Sequence, residues 1–366
     1  MPNTLPINPT LANLPVYLPG KPIEEVAREL GMPAENILKL ASNENPLGPS
    51  PKALGAMRDV LGQLHLYPDG SAFHLKRKLA DHLGVKPEHL ILGNGSNEIL
   101  EFVGHALISP GTEVVVSEYC FAVYSIVTHL FGGTLVTVPH KDYGHDLAAM
   151  SAAITPRTRV VFVANPNNPT GTRAPNQQLL EFVRAVPKNV LIALDEAYVE
   201  FLENPPQLID LVLSNHHSNL VLMRTFSKIY GLAGLRLGYG IASPDLIQAL
   251  ERVRQPFNTN ALIQSGALAA LEDAEHLRKT LENNREGLQY FETCFQQMGL
   301  PFVPSYANFV LVRVGNGASV FEALQKQGVI ARPMGGYGLP EWIRLTVGTG
   351  KQNERCILSL RKALEP

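Results

Sequence analysis

Lys228 stands in the stretch TFSKIYGLAGLRLG (225–238), after the apolar run NLVLM (219–223) and two hydroxyl residues, and ahead of glycines and a lone arginine. Flanked by Phe226, Ile229, Tyr230 and Leu232, its amine is expected to be partly withdrawn from water. Desolvation lowers an amine's proton affinity, because water no longer stabilises the ammonium, and leaves a nucleophile. The same pattern also suits a lysine that ends a buried strand and reaches solvent along its stem. A second stretch, LILGNGSNE (90–98), reads as strand, glycine turn and helix start. Glycines let an anion approach the backbone N–H groups of a helix N-terminus, so Gly95, Ser96 and Asn97 form a candidate phosphate cradle. A dinucleotide fold wants a third glycine where Glu98 stands, although Glu118 at the end of EVVVS could imitate its ribose-binding acid. A nicotinamide dehydrogenase is therefore an alternative, but one that gives Lys228 no task. A single phosphate suits a monophosphate cofactor equally.

The elements that must position these residues belong to a chain of 366 residues, 45% hydrophobic and 17% charged, with a formal net charge of −2. That composition supports a large core and two domains. No basic excess or long single-sign run points to nucleic acid or to an acidic membrane, so small-molecule chemistry is expected. The start, MPNTLPINPTLANLP, has no positively charged leader region, and no apolar run reaches the length of a membrane helix; a cytoplasmic protein is expected. Cys120, Cys294 and Cys356 are scattered without a CxxC spacing, the histidines include no HExxH, and His216–His217 falls in a polar loop. Neither a disulfide framework nor a metal site is expected.

Apolar runs at 90–93, 113–117, 134–138, 159–164, 189–195, 219–223 and 237–242 alternate with helical patterns. This predicts a mostly parallel sheet covered by helices on both faces. Beyond Pro256 a long helical stretch (261–298) precedes two alternating segments, NFVLVRV (308–314) and WIRLTVG (342–348), with a helix between them, which reads as a smaller α+β unit. The expected division is a proline-rich arm over 1–20, a large domain over 47–258, and a small domain made of 21–46 with 259–366.

Three stretches complete the pattern: NPNNPTGT (165–172), LDEAY (194–198) and TFSKIYGLAGLR. With them the chain resembles the fold-type-I pyridoxal 5'-phosphate (PLP) aminotransferases, and within those the histidinol-phosphate aminotransferases. The likeness runs from YLPGKP (17–22) and SNENPLGPSP (42–51) to EWIRLTVGT (341–349). It implies that Lys228 joins the cofactor covalently, is displaced by the substrate amine, and moves a proton at the substrate's α-carbon. It implies that Asp195 holds the proton of the cofactor's ring nitrogen, and that Asn168 and Tyr198 donate to the ring oxygen. The phosphate would fall to Thr225, Ser227 and Arg236, together with Gly95, Ser96 and Asn97. On local grounds Asp195 also reads as a helix N-cap and Asn168 as a turn residue before Pro169. Aligning SEYCFAVY (117–124) on its last tyrosine puts Phe121 against the cofactor ring, with Tyr119 as the alternative. Tyr67 matches a tyrosine that reaches the neighbouring subunit's cofactor, which implies a homodimer with shared active sites. Ile229 departs from the small residue usual after the lysine and is expected to crowd the cavity.

The resemblance also implies the reaction: L-histidinol phosphate and 2-oxoglutarate interconverting with imidazole acetol phosphate and glutamate. Arginine forks suit both anions. Arg344 matches the carboxylate-binding arginine and Arg332 a phosphate-selecting one, with Tyr17, Asn43 and Asn308 lining the substrate side. Without the resemblance Arg332 reads as a surface charge and Asn308 as a strand-edge cap. Two relatives of the same chemistry stay open, an aminotransferase of phenylalanine or tyrosine and a decarboxylase of a phosphorylated amino acid.

Overall fold

The computed structural model describes residues 20–214 and 217–365, with residues 5, 7–11, 14 and 16 of the first nineteen. Tyr17 and His216 lie outside the described residues. The strands in chain order are β1 (Leu38–Lys39), β2 (Leu90–Gly93), β3 (Glu113–Ser117), β4 (Thr134–Val138), β5 (Thr158–Ala164), β6 (Leu191–Asp195), β7 (Leu220–Thr225), β8 (Gly238–Ala242), β9 (Phe302–Val303), β10 (Phe309–Arg313), β11 (Val329–Ile330), β12 (Arg332–Pro333) and β13 (Trp342–Thr346).

A seven-stranded sheet in the order β2-β8-β7-β6-β5-β3-β4 forms the large layer. All its neighbours are parallel except β8, which runs antiparallel to both β2 and β7. The middle of each inner strand is an unbroken apolar run because successive side chains enter two different cores. Val115, Val161 and Ile192 pack on one face, and Val114, Val160 and Leu191 on the other. The runs NPNNPTGT, LDEAY and TFSK follow directly from the carboxyl ends of β5, β6 and β7, which are adjacent, so sequence-remote motifs meet at one edge of the sheet.

β2 is an edge strand with an antiparallel neighbour, whereas a dinucleotide fold sets its glycine-turn strand inside the parallel sheet. Glu98 is a local brace here, accepting hydrogen bonds from the Asn94 N–H and from Asn258 Nδ2, both at 2.6 Å. The dehydrogenase alternative fails on both counts.

The second layer is a four-stranded antiparallel sheet, β12-β13-β10-β9, beside a parallel pair β1-β11. Through β1, residues near position 38 are built into the C-terminal part of the chain. The single helix expected over 261–298 is two helices, Ala261–Ala270 and Ala274–Gln297. Asp273 starts the second one, its carboxylate accepting from the His276 N–H. The first, expected with the small domain, packs on helix Pro51–Val60 and gives Ile263, Ala267 and Ala270 to the large core. No helix among the described residues is long and apolar enough to cross a membrane.

Gly231, three residues past Lys228, has φ +68°, and a Cβ there would lie 2.2 Å from the Gly48 carbonyl oxygen. Only glycine lets the lysine loop return this tightly against the segment 42–51. Gly231→Ala is expected to cost about 2–3 kcal/mol in urea unfolding; a midpoint equal to wild type would show that the loop shifts freely.

Candidate active site

A cavity of about 370 Å³ opens between the two layers at the carboxyl ends of β5, β6 and β7. Of the expected residues, Ser96, Asn97, Phe121, Asn168, Asp195, Tyr198, Thr225, Ser227, Lys228 and Arg236 border it, and so do Asn43, Arg332 and Arg344. Asn308 stands behind Asn43, donating from Nδ2 to its carbonyl at 3.0 Å. Tyr67 does not border this cavity; it is 83% exposed and stacks on Phe257. A larger cavity, about 600 Å³, lies between Phe201–Asn204 and helix Ala274–Gln297, and none of the expected residues borders it.

Lys228 is half-buried, with its loop pinned by backbone hydrogen bonds from Gly231 to Lys228 and from Leu232 to Phe226. Its Nζ donates to the Ser42 carbonyl at 3.3 Å and lies 5.7 Å from the Tyr198 ring centre. Removal from water pushes the amine down to about 8; Arg344 and Arg236 add to this and Glu44 and Asp195 oppose it. The neighbouring Ile229 turns into the large core and leaves the cavity uncrowded, contrary to the expectation.

Asp195 ends β6 with only 7% of its surface exposed. Burial raises its proton affinity. Tyr124 opposes that by donating its hydroxyl to Oδ2 at 2.8 Å, and the Ala197 N–H by donating to Oδ1 at 3.1 Å. Tyr124 is not among the site residues expected from the sequence. A tyrosine in an apolar helix such as AVYSIVTHL must find a partner for its hydroxyl, and that was the available signal.

Asn168 accepts from Arg344 Nη1 through Oδ1, which leaves its Nδ2 as the donor. The Tyr198 oxygen accepts from Asn43 Nδ2 at 2.8 Å, which leaves its own O–H to donate. Burial pushes the Tyr198 hydroxyl up to about 12, so the proton stays on at neutral pH. Asn43 is fixed in the left-handed region (φ 55°), and Thr346 Oγ1 accepts from its N–H. Arg344 lies over the Phe309 ring and donates to the Ala41 carbonyl.

At the other end, Ser96 and Asn97 open helix Ser96–Leu107, facing Ser227 and Arg236. Arg236 donates to Ser227 Oγ at 3.4 Å, and Thr225 Oγ1 donates to the Leu237 carbonyl. Gly95 does not border the cavity but lets the guanidinium sit over the turn, since a Cβ there would fall 2.2 Å from Arg236 Nη2. Helix N–H groups, hydroxyls and a guanidinium together make an anion cradle. Phe121 borders the cavity beside it, whereas Tyr119 stacks on His140 and packs with Leu311 and Trp342 in the second layer. Glu44 and Tyr337 border the cavity as well and were not anticipated.

Residues 35–360 match the family model described as aminotransferase class I and II. A histidinol-phosphate aminotransferase of Akkermansia muciniphila is 50% identical over 98% of this chain and 98% of its own. Another, from Ralstonia nicotianae, is 51% identical over 95% of this chain and 94% of its own. The crystal structure of the Sinorhizobium meliloti histidinol-phosphate aminotransferase in complex with pyridoxal-5'-phosphate superposes with a TM-score of 0.89 at 30% identity, covering 98% of this chain and 97% of that one. Fold, motif order and near-complete coverage agree: the chain is a fold-type-I protein that belongs to the class I and II aminotransferases and, within them, to the histidinol-phosphate aminotransferases.

Proposed function

We infer that the protein uses pyridoxal 5'-phosphate to exchange the amino group between L-histidinol phosphate and 2-oxoglutarate, a step of histidine biosynthesis that gives imidazole acetol phosphate and glutamate. One observation carries the reading: a desolvated lysine amine with a pKa of about 8 shares a cavity with a buried carboxylate and an anion cradle. That donor set fits the cofactor. Lys228 supplies the amine to which its aldehyde attaches, Asp195 a carboxylate for the ring nitrogen, Asn168 Nδ2 and the Tyr198 hydroxyl two donors for the ring oxygen. Ser96, Asn97, Ser227 and Arg236 would receive the phosphate, and Phe121 would cover the ring. When bound, the cofactor supplies an electron sink for charge developing at the substrate's α-carbon.

The chain's own groups do the rest. Lys228, released by the incoming amine, takes and returns the proton at that carbon, which a group titrating near neutral pH does well. Arg332 and Arg344 are directly opposed on β12 and β13. Like charges so placed repel, and an anion between them relieves the repulsion. A substrate phosphate or carboxylate meets that need, and the guanidinium fork binds either.

Tyr67, Phe73 and Phe257 are exposed, as are Leu61, Leu64 and Leu66 nearby in the chain. An apolar surface of this kind supports a second copy of the chain as partner. This reading implies a cytoplasmic homodimer in which Tyr67 reaches the cofactor of the neighbouring protomer.

The test is the visible spectrum of the holoenzyme titrated with L-histidinol phosphate or L-phenylalanine, with no keto acid present. Loss of the cofactor band at low histidinol phosphate, with phenylalanine needed in large excess, supports the assignment; the reverse order makes the enzyme an aromatic aminotransferase. Lys228→Ala should reduce turnover by about 10⁴-fold while the circular dichroism stays that of wild type, and substantial steady-state transamination by this variant would refute the lysine's role. Arg332→Ala should cut kcat/KM for histidinol phosphate by about 10- to 100-fold, with a much smaller effect on glutamate; equal losses would mean that Arg332 does not read the phosphate. In the apoprotein the Lys228 amine titrates near 8 when folded and near 10.5 when unfolded, so the cost of burying its charge is full below pH 8 and gone above 10.5. Lys228→Met should therefore be more stable to urea than wild type at pH 7, and less of that advantage should remain at pH 10; an advantage independent of pH would put the amine in water.

A further inference from the structure

Four cationic side chains border the catalytic cavity, Lys228, Arg236, Arg332 and Arg344, against two carboxylates, Asp195 and Glu44. Asp195 is committed, with Tyr124 on one oxygen and the Ala197 N–H on the other. Glu44 is used only in half. Its Oε1 accepts from Lys39 Nζ at 2.8 Å, and its Oε2 accepts no hydrogen bond among the described residues. The carboxylate is close enough to the cavity floor to raise the proton affinity of Lys228.

Its backbone is held on both sides. Asn43 is tied to Thr346, Tyr198 and Asn308. Asn45 donates from Nδ2 to the Ile229 carbonyl at 2.9 Å and accepts from the Leu47 N–H through Oδ1. Glu44 is thus a carboxylate on a fixed backbone, clamped by one lysine, with one oxygen available to a ligand. A mobile surface glutamate has none of these restraints.

We propose that Glu44 is the specificity residue for the imidazole ring, accepting the ring N–H of the phosphorylated substrate through Oε2. This rests on the substrate reading given above. A substrate with its amine at Lys228 and its phosphate between Arg332 and Arg344 has only its ring left to place. The cofactor end of the cavity is taken by the anion cradle. The remaining wall runs over Gly20, Ala41, Ser42, Asn43, Glu44 and Tyr337, and Glu44 has a carboxylate oxygen that accepts no hydrogen bond among the described residues. A phenyl ring has no N–H to give, and would cover Oε2 without answering it, which is how a polar site rejects an isostere.

The experiment compares L-histidinol phosphate with L-phenylalaninol phosphate, which keeps the amine and the phosphate but lacks the ring N–H, on wild-type holoenzyme and on Glu44→Gln and Lys39→Met. Wild type should favour histidinol phosphate by about 10- to 100-fold in kcat/KM. Glu44→Gln should bring that ratio towards one, mainly through KM for histidinol phosphate, with a smaller loss in the glutamate half-reaction. Lys39→Met, which loosens the clamp and leaves the carboxylate, should give an intermediate ratio. A ratio unchanged in Glu44→Gln, or equal losses for all three substrates, overturns the role of Glu44 and leaves the aminotransferase reading intact. Wild-type enzyme inert to both phosphate esters overturns the substrate reading itself.

Discussion

The ammonium form of Lys228 is disfavoured twice over, by exclusion of water and by the guanidinium groups of Arg344 and Arg236. Only Asp195 and Glu44 oppose this, and neither forms a hydrogen bond with the amine, whose one partner among the described residues is the Ser42 carbonyl. An amine paired directly with a carboxylate would stay charged and inert. Desolvation without pairing is what makes it reactive near neutral pH, and it requires a cavity roofed by one part of the chain and floored by another. The two-layer architecture follows from that requirement: the large sheet supplies the lysine, its buried acid and Arg236, and the second layer supplies Arg332, Arg344 and the wall that keeps water away.

The two layers also fix which atoms can donate. Arg344, on β13, takes the Oδ1 of Asn168, which follows β5. Asn43, anchored to Thr346 and Asn308 of the second layer, occupies the oxygen of Tyr198, which follows β6. An amide and a hydroxyl, each able to play either part, are thereby set as donors towards the same cavity. Two hydrogen bonds across the layer boundary decide the chemistry of residues that the large sheet only positions.

The large sheet was legible because the central positions of β3, β5, β6 and β7 are buried on both faces and therefore apolar in unbroken runs, and because their carboxyl ends carry the motifs. The second layer was less so. β1, β9, β11 and β12 are two residues each, too short to show a period of two. The opposition of Arg332 and Arg344 exists only through the β12–β13 register, which no local pattern announces. The break at Leu271–Asp273 was missed because apolar spacing continues across it and the asparagine-like capping by Asp273 leaves the hydrophobic pattern untouched. Ile229 was expected in the cavity from its place beside the lysine, yet the tight return at Gly231 rotates it into the core. Glu44 lies inside SNENPLGPSP, one of the stretches that carry the resemblance, but a glutamate between two asparagines reads as a solvated loop and suggested no role.

Asn43 and Thr346 are 303 positions apart, and among the described residues β1 pairs with β11 alone. During synthesis the segment bearing Ser42, Asn43 and Glu44 leaves the ribosome well before the strands that receive it. Domains fold as their chain becomes available, and contacts this distant in sequence form late. A nascent chain can therefore complete the large sheet, lysine included, with the cavity still unroofed and the amine still in water. Until the second layer is made, water would keep that amine charged and a poor nucleophile.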